Sequence, residues 1–209
     1  MEDLSKKFAY FEIEPEADKH LDFNQVFGNS NPVHLEIGSG RGEFLIQKAR
    51  QNPDVNYLAI ELKEKRIKTI MRKLDFEDHK NVRVIRLFVD STVTEILAEE
   101  SFEKIFIIHP DPWPKKRHNR RRIINQDFID VLWKLLKPDG IVRLSTDHPD
   151  YAIWIVDHFS IRKDFGSLHE NGFTKNAPED HLETYFEKMK KAEGFPPFFM
   201  EYKKVKILD

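Results

Sequence analysis

Apolar and polar positions along the chain fall into two rhythms. VHLEI at 33–37, NYLAIEL at 56–62, NVRVIRLF at 81–88, KIFIIH at 104–109 and IVRLST at 141–146 are short apolar runs of strand length. Between them lie stretches with helical spacing: 43–51, 63 to about 74, a short one at 91–99, then 125–137 and 149–160. NQDFIDVLWKLLK at 125–137 is strongly amphipathic and is closed by Pro138, Asp139 and Gly140. PFFMEYKKV at 197–205 predicts a final strand at one edge, and 169–181 reads as a loop. Residues 1–30 show no sustained period and are expected to form an N-terminal extension, mobile in part. Asn29-Ser30-Asn31-Pro32 then marks a break before a single domain over 31–209.

Strands alternating with helices of this length imply parallel strands joined by crossover helices. The expected fold is therefore α/β: a doubly wound, mostly parallel, seven-stranded sheet with helices on both faces. In such sheets ligands bind outside the carboxyl ends of the strands, where strand order reverses, so the chemistry is to be sought there.

Composition narrows the function classes. The 209 residues are 40% hydrophobic, enough for one core. The absence of cysteine excludes disulfides, thiolate metal sites and cysteine nucleophiles, and suits a reducing compartment. No run approaches 18 apolar residues, and the N-terminus carries acids where a secretory signal needs an apolar stretch, so a soluble cytoplasmic protein with no membrane partner is expected. The histidines show no H-x-x-x-H spacing, and no metal is expected. Net charge is −2, which taken globally argues against nucleic acid; yet Lys115, Lys116, Arg117, Arg120, Arg121 and Arg122 crowd into one short run.

The first strand ends in Glu36-Ile37-Gly38-Ser39-Gly40-Arg41-Gly42. Glycines allow a sharp turn and close approach of a ligand to the main chain. A dinucleotide fingerprint needs G-x-G-x-x-G, and here the third glycine comes one place early, which disfavours an NAD-dependent oxidoreductase. The E-x-G-x-G-x-G pattern resembles motif I of the class I methyltransferases, which sets Glu36 near the cationic methionine end of the cofactor. Glu61 ends the second strand about twenty residues later, where a carboxylate accepts from both ribose hydroxyls. Asp90, after the third strand, suits either the adenine amino group or the N-cap of the following helix.

The fourth strand runs into His109-Pro110-Asp111-Pro112-Trp113-Pro114, stiffened by three prolines, and directly into the cationic run. This arrangement holds Asp111 and Trp113 at the mouth of the sheet. A rigid surface loop and a solvated helix entry would read alike, but both features lie at the cofactor end.

With LEIGSGRGEF, AIE, PDPWPKKRHNRRR, STD at 145–147 and Thr184-Tyr185-Phe186-Glu187, the chain from about residue 33 to its end resembles the bacterial tRNA (guanine-N7)-methyltransferase family, with its Rossmann-like class I methyltransferase fold. The PDPW block with its basic continuation is the specific part. The resemblance implies S-adenosyl-L-methionine as cofactor, transfer RNA as partner, and N7 of guanosine 46 in the variable loop as target. It implies that Glu36, Gly38, Gly40, Gly42, Glu61, Asp90 and Asp111 line the cofactor pocket, Asp111 being also the position of the family's catalytic acid. Lys115, Asp147, Thr184, Tyr185, Phe186 and Glu187 match its substrate-binding positions. Arg117, His118, Asn119, Arg120, Arg121 and Arg122 match its RNA-contact stretch. The chain departs from the family at His109, where an aromatic is usual, at Ser39 and Arg41 in the glycine turn, and at Tyr185, where lysine is usual. No obligate protein partner is expected; a monomer is the default and a homodimer the alternative. A methyltransferase of another RNA, or an RNA-binding domain without catalysis, would share parts of this pattern.

Overall fold

The computed structural model describes residues 3–16 and 19–206. Strand β1 (Glu12–Ile13) follows helix α1 (Leu4–Phe11), and α2 (Phe23–Phe27) leads into β2 (Val33–Ile37), α3 (Glu43–Gln51), β3 (Asn56–Glu61), α4 (Glu64–Lys73) and β4 (Val82–Arg86). β5 (Phe102–Ile108), α5 (Gln126–Leu135), β6 (Leu136–Thr146), α6 (Pro149–Ser160), β7 (Phe165–Ser167), α7 (Tyr185–Ala192) and β8 (Phe198–Lys204) complete the chain.

These strands form one sheet in the order β1-β4-β3-β2-β5-β6-β8-β7. Neighbours are parallel from β1 to β6, whereas β8 runs antiparallel to both β6 and β7. The chain lays β3 and β4 to one side of β2 and then crosses to place β5 and β6 on the other. Strand order therefore reverses between β2 and β5, which opens a crevice at their carboxyl ends.

Every residue of β2 and β3 is buried, as expected of central parallel strands covered on both faces. Alternate side chains feed two cores. Val33, Leu35, Ile37, Leu58, Ile60, Ile105 and Ile107 point toward α2, α5 and α6. Tyr57, Ala59 and Phe106 point the other way, toward α1, α3 and α4. Burying such side chains contributes about 1.5–3 kcal/mol each, so the central strands are the most firmly held part of the molecule.

The sheet has eight strands against the seven expected, and β1 and β7 coincide with none of the apolar runs read from the sequence. Asp3 caps α1 by accepting from Ser5 N–H, Phe11 is fully buried against Phe76, and β1 pairs with β4 at the sheet edge. A two-residue strand carries no period to read. Residues 91–95 form a 3-10 turn rather than the longer helix expected over 91–99. β6 starts directly at Leu136, where α5 ends, and absorbs Pro138-Asp139-Gly140 through a register shift opposite β5. Helices α1, α2 and α7 and a 3-10 turn over Lys116–Arg121 were not anticipated as elements.

On the α3 side, among the described residues, no helix of the 33–160 region is seen to pack on β6 and β8. The segment leading to α7 takes that place: Asp180 accepts from Lys48 of α3 (2.9 Å) and from Arg143 of β6 (2.6 Å), and Arg143 also pairs with Glu201 of β8 (2.7 Å). Burial alone would raise the pKa of Asp180, but Lys48 and Arg143 hold it well below the carboxylate range. This ionic cluster straps the segment across the sheet and delivers α7 to the carboxyl ends of the strands.

Candidate functional site

The turn after β2 is held by backbone bonds from Gly38 and Ser39 to the Ile60 carbonyl (2.8 and 3.2 Å). Gly38, Gly40 and Gly42 all have φ between 56° and 76°, a conformation that side chains with a Cβ resist. A Cβ at Gly42 would come within 2.9 Å of the Ile70 side chain, so glycine there lets α4 approach. A Cβ at Gly38 would meet nothing within 4 Å, so the turn faces open space on that side.

Two carboxylates stand behind this turn. Glu61 is buried and accepts from Gly40 N–H (2.9 Å), Lys63 N–H (2.8 Å) and Arg66 Nη1 (3.4 Å). A carboxylate offers about four acceptor positions, so capacity remains for a further donor. Glu36 is also buried, and its Oε2 has no hydrogen-bond partner. Burial, and then the charge of Glu61, pushes the Glu36 pKa up to about 8, against a smaller lowering by Leu45 N–H. A buried carboxyl with an orphaned oxygen is suited to meet a cationic or amine-bearing ligand, and an open glycine turn beside it suits the same ligand's main body. Asp90 is exposed and serves as N-cap, accepting from Thr92 N–H (2.9 Å) and Oγ1 (2.7 Å), which lower its pKa.

Across the crevice, β5 ends in a strained exit. His109 and Trp113 adopt positive φ (49° and 44°), costly for residues with a Cβ. His109 N–H donates to Ser145 O (3.0 Å), which keeps the exit beside the end of β6. Asp111 is exposed at the mouth, and Asp147 emerges one strand away, half-buried. His109 Nδ1 lies 3.5 Å from Asp147 Oδ1, within ion-pair distance. That contact, outweighing burial, holds the Asp147 carboxyl below its usual range.

Lys115 and the 3-10 turn carry the basic run. Lys115, Lys116, Arg117, Arg120 and Arg121 are exposed, and no ion pair to a carboxylate within 4 Å is found for them among the described residues. Trp113 is half-buried beneath this turn, with the Arg121 guanidinium 4.9 Å from its ring and the His118 edge at 5.8 Å. His118 and Asn119 are half-buried. Arg122 stands apart. It is buried, donates from Nε to Pro112 O (2.9 Å), and lies over the rings of Tyr151 (5.0 Å) and Trp154 (4.9 Å). Expected among the RNA-contact residues, it is buried here and pins the proline loop to α6.

The segment Thr184–Glu187 is likewise divided. Thr184 caps α7, and Glu187 is fully buried between His181 (2.7 Å) and Lys191 (3.0 Å). Burial pushes the Glu187 pKa up, but the hydrogen bonds from His181 and then Lys191 outweigh it and leave it lowered. These two hold the segment, while Tyr185 and Phe186 face outward. Tyr185 N–H donates to Glu43 Oε2 (2.8 Å), and the Phe186 ring sits edge-on to His109 (5.1 Å). Sequence reasoning missed Glu43, Asp180 and His181, because their partners lie far along the chain and no local pattern marks them.

Residues 30–195 match the protein family described as "Putative methyltransferase". A Syntrophotalea carbinolica protein named "tRNA (guanine-N(7)-)-methyltransferase" is 40% identical over 154 residues, 74% of this chain and 66% of that protein. A protein of the same name from Listeria monocytogenes is 33% identical over 211 residues, 96% of this chain and 94% of that one. Among solved structures, the aminoglycoside resistance methyltransferase NpmB1 aligns with a TM-score of 0.56 at 12% identity, covering 88% of this chain and 92% of that one. A rRNA methylase from Streptococcus thermophilus aligns with a TM-score of 0.55 at 12% identity, covering 84% and 88%. At that identity the likeness is one of fold.

The Glu36 environment predicts a pH dependence. Its folded pKa, about 8, lies above its ordinary 4.5, so the native protein keeps a proton that the unfolded chain releases. The stabilisation is intact below pH 4.5 and has been lost once pH rises through about 8. Between those limits, stability relative to Glu36→Gln should fall by on the order of 1 kcal/mol per pH unit, read by urea denaturation. A wild-type-to-variant difference that does not move with pH would contradict this.

Proposed function

The chain belongs to the tRNA (guanine-N7)-methyltransferase family, and on that premise we propose that it transfers the methyl group of S-adenosylmethionine to N7 of guanosine 46 in the variable loop of transfer RNA. One observation carries the reading: the glycine turn with Glu36 and Glu61 faces, across a single reversal of strand order, a proline-braced aspartate followed by an exposed cationic turn.

The residues present suit the donor. Glu36, with its orphaned oxygen, would receive the methionine amine, the glycine turn at Gly38, Gly40 and Gly42 would lie against the ligand, Glu61 would take a ribose hydroxyl, and Asp90, with one carboxylate oxygen on Thr92, would take the adenine amino group with the other. The donor supplies an electrophilic methyl on a cationic sulfur.

Guanine N7 carries a lone pair and no proton, so no general base is required. When bound, the donor would supply the methyl group, the electron pair of its carbon–sulfur bond leaving with sulfur, and the base would gain the positive charge. What this chain must supply is alignment, with N7 roughly 3–3.5 Å from the methyl carbon, and negative charge beside the ring that gains positive charge. Asp111 and Asp147, at the carboxyl ends of adjacent strands, accept from guanine N1–H and the N2 amino group. The lowered pKa of Asp147 keeps it ionised for that purpose.

Lys115, Tyr185 and Phe186 bound the substrate side, while Thr184 and Glu187 act by holding α7 in place. Arg117, His118, Asn119, Arg120 and Arg121 meet the phosphate backbone. Among the described residues no helix is long and apolar enough to cross a membrane. A monomer acting in the cytoplasm is the proposed working form.

Asp111→Ala should lower turnover by on the order of 100-fold or more; near-normal turnover would remove Asp111 from the mechanism. Neutralising Lys116, Arg117, Arg120 and Arg121 together should flatten the dependence of log affinity for tRNA on log salt by about 3 units of slope. An unchanged slope would make the turn a merely solvated surface.

A further inference from the structure

Helix α7 exposes more apolar surface than its contacts explain. Tyr185 is 69% exposed, Phe195 52%, and Phe186 and Met189 40% each. Contiguous exposed apolar surface on a small domain marks a binding face.

The end of the helix shows how this surface is built. Gly194, at φ 88°, donates to Lys191 O (3.0 Å), and Phe195 N–H donates to Lys190 O (2.9 Å). These two bonds form a Schellman closure, in which the residue after the glycine usually packs on an apolar residue three positions inside the helix. Here that inner position is Lys190. The Phe195 ring is therefore turned back toward the helix yet left half in water, and Pro196 and Pro197 stiffen the chain beyond it. The Lys190 ammonium lies 5.9 Å from the ring centres of both Phe186 and Phe195. Its pairing with Glu193 (2.7 Å) is a surface ion pair, readily exchanged for another anion. Phe186 in turn abuts His109, which faces Asp147. A continuous path thus leads from the carboxylate at the crevice through two rings and a cation to Phe195.

We propose that Phe186, Lys190 and Phe195 form a stacking bay for an unpaired nucleobase next to the methylated guanosine, with the Lys190 ammonium on the adjoining phosphate. This rests on the RNA substrate inferred above. Aromatic faces interleaved with cations are the means by which proteins hold unstacked bases. A contact with a second copy of the chain fits less well, because charge is depleted from the cores of protein interfaces, and lysine sits at the centre of this one.

The test compares wild type, Phe195→Ala and Phe195→Trp on full-length unmodified tRNA. Phe195→Ala should raise Kd and KM for tRNA by about tenfold, the loss of one stacked base, with kcat at saturating tRNA and donor affinity within about twofold. Phe195→Trp should restore affinity, and its added indole fluorescence should be quenched by tRNA. Unchanged tRNA affinity in a Phe195→Ala protein with a native circular dichroism spectrum would overturn the bay. So would sedimentation showing that wild type is a dimer which Phe195→Ala breaks without altering tRNA affinity. Failure of the wild type itself to methylate tRNA would remove the functional reading, and the bay with it.

Discussion

Everything at the site depends on one topological constraint: the chain places β3 and β4 on one side of β2 and β5 and β6 on the other. The connections after β2 and β5 leave in opposite directions, and the start of α7 spans the gap between them, with Tyr185 N–H on Glu43 and Phe186 against His109. Buried, fully covered central strands make this crevice rigid. A glycine turn and a proline-stiffened loop, each unremarkable as a surface loop, thereby become two walls facing one another. The strained backbone at His109 and Trp113 is tolerated because hydrogen bonding to β6 and the Arg122 anchor over-determine it.

Charge is arranged in zones that the overall value of −2 conceals. Carboxyl groups line the crevice: Glu36 and Glu61 behind the glycine turn, Asp111 and Asp147 across from it. A cationic methyl donor and a base that becomes cationic on methylation both suit such a lining. The cations gather beyond, on the 116–121 turn and α7, where a polyanion would approach. Unlike the exposed arginines, Lys48 and Arg143 are spent internally on Asp180, and their work is to hold α7 in reach of the crevice.

Much of the architecture was legible in the chain. The runs at 33–37 and 56–62 became β2 and β3 nearly residue for residue, and 149–160 became α6, because buried strands and amphipathic helices write their period into the sequence. β1 and α7 were not legible. β1 has two residues, and α7 turns Tyr185, Phe186 and Met189 outward instead of into the core, held by a threonine cap and a buried Glu187 whose partners come from tertiary contact. The same limit governs the site. The glycine spacing and the PDPW block could be read locally, but nothing local separates Arg122, buried against Tyr151 and Trp154, from the exposed Arg121 beside it. His109 was visible as a departure from the family; its place between Asp147 and Phe186 was not.

The central claim is that this crevice brings a sulfonium methyl and guanine N7 together on folded tRNA. Incubating the protein with methyl-labelled S-adenosylmethionine and unmodified tRNA, then digesting the tRNA to nucleosides and mapping the label, tests it most directly. Label in 7-methylguanosine, confined to position 46, is the expected result. Label in any other nucleoside, or none in tRNA under conditions where the donor is bound, would contradict it.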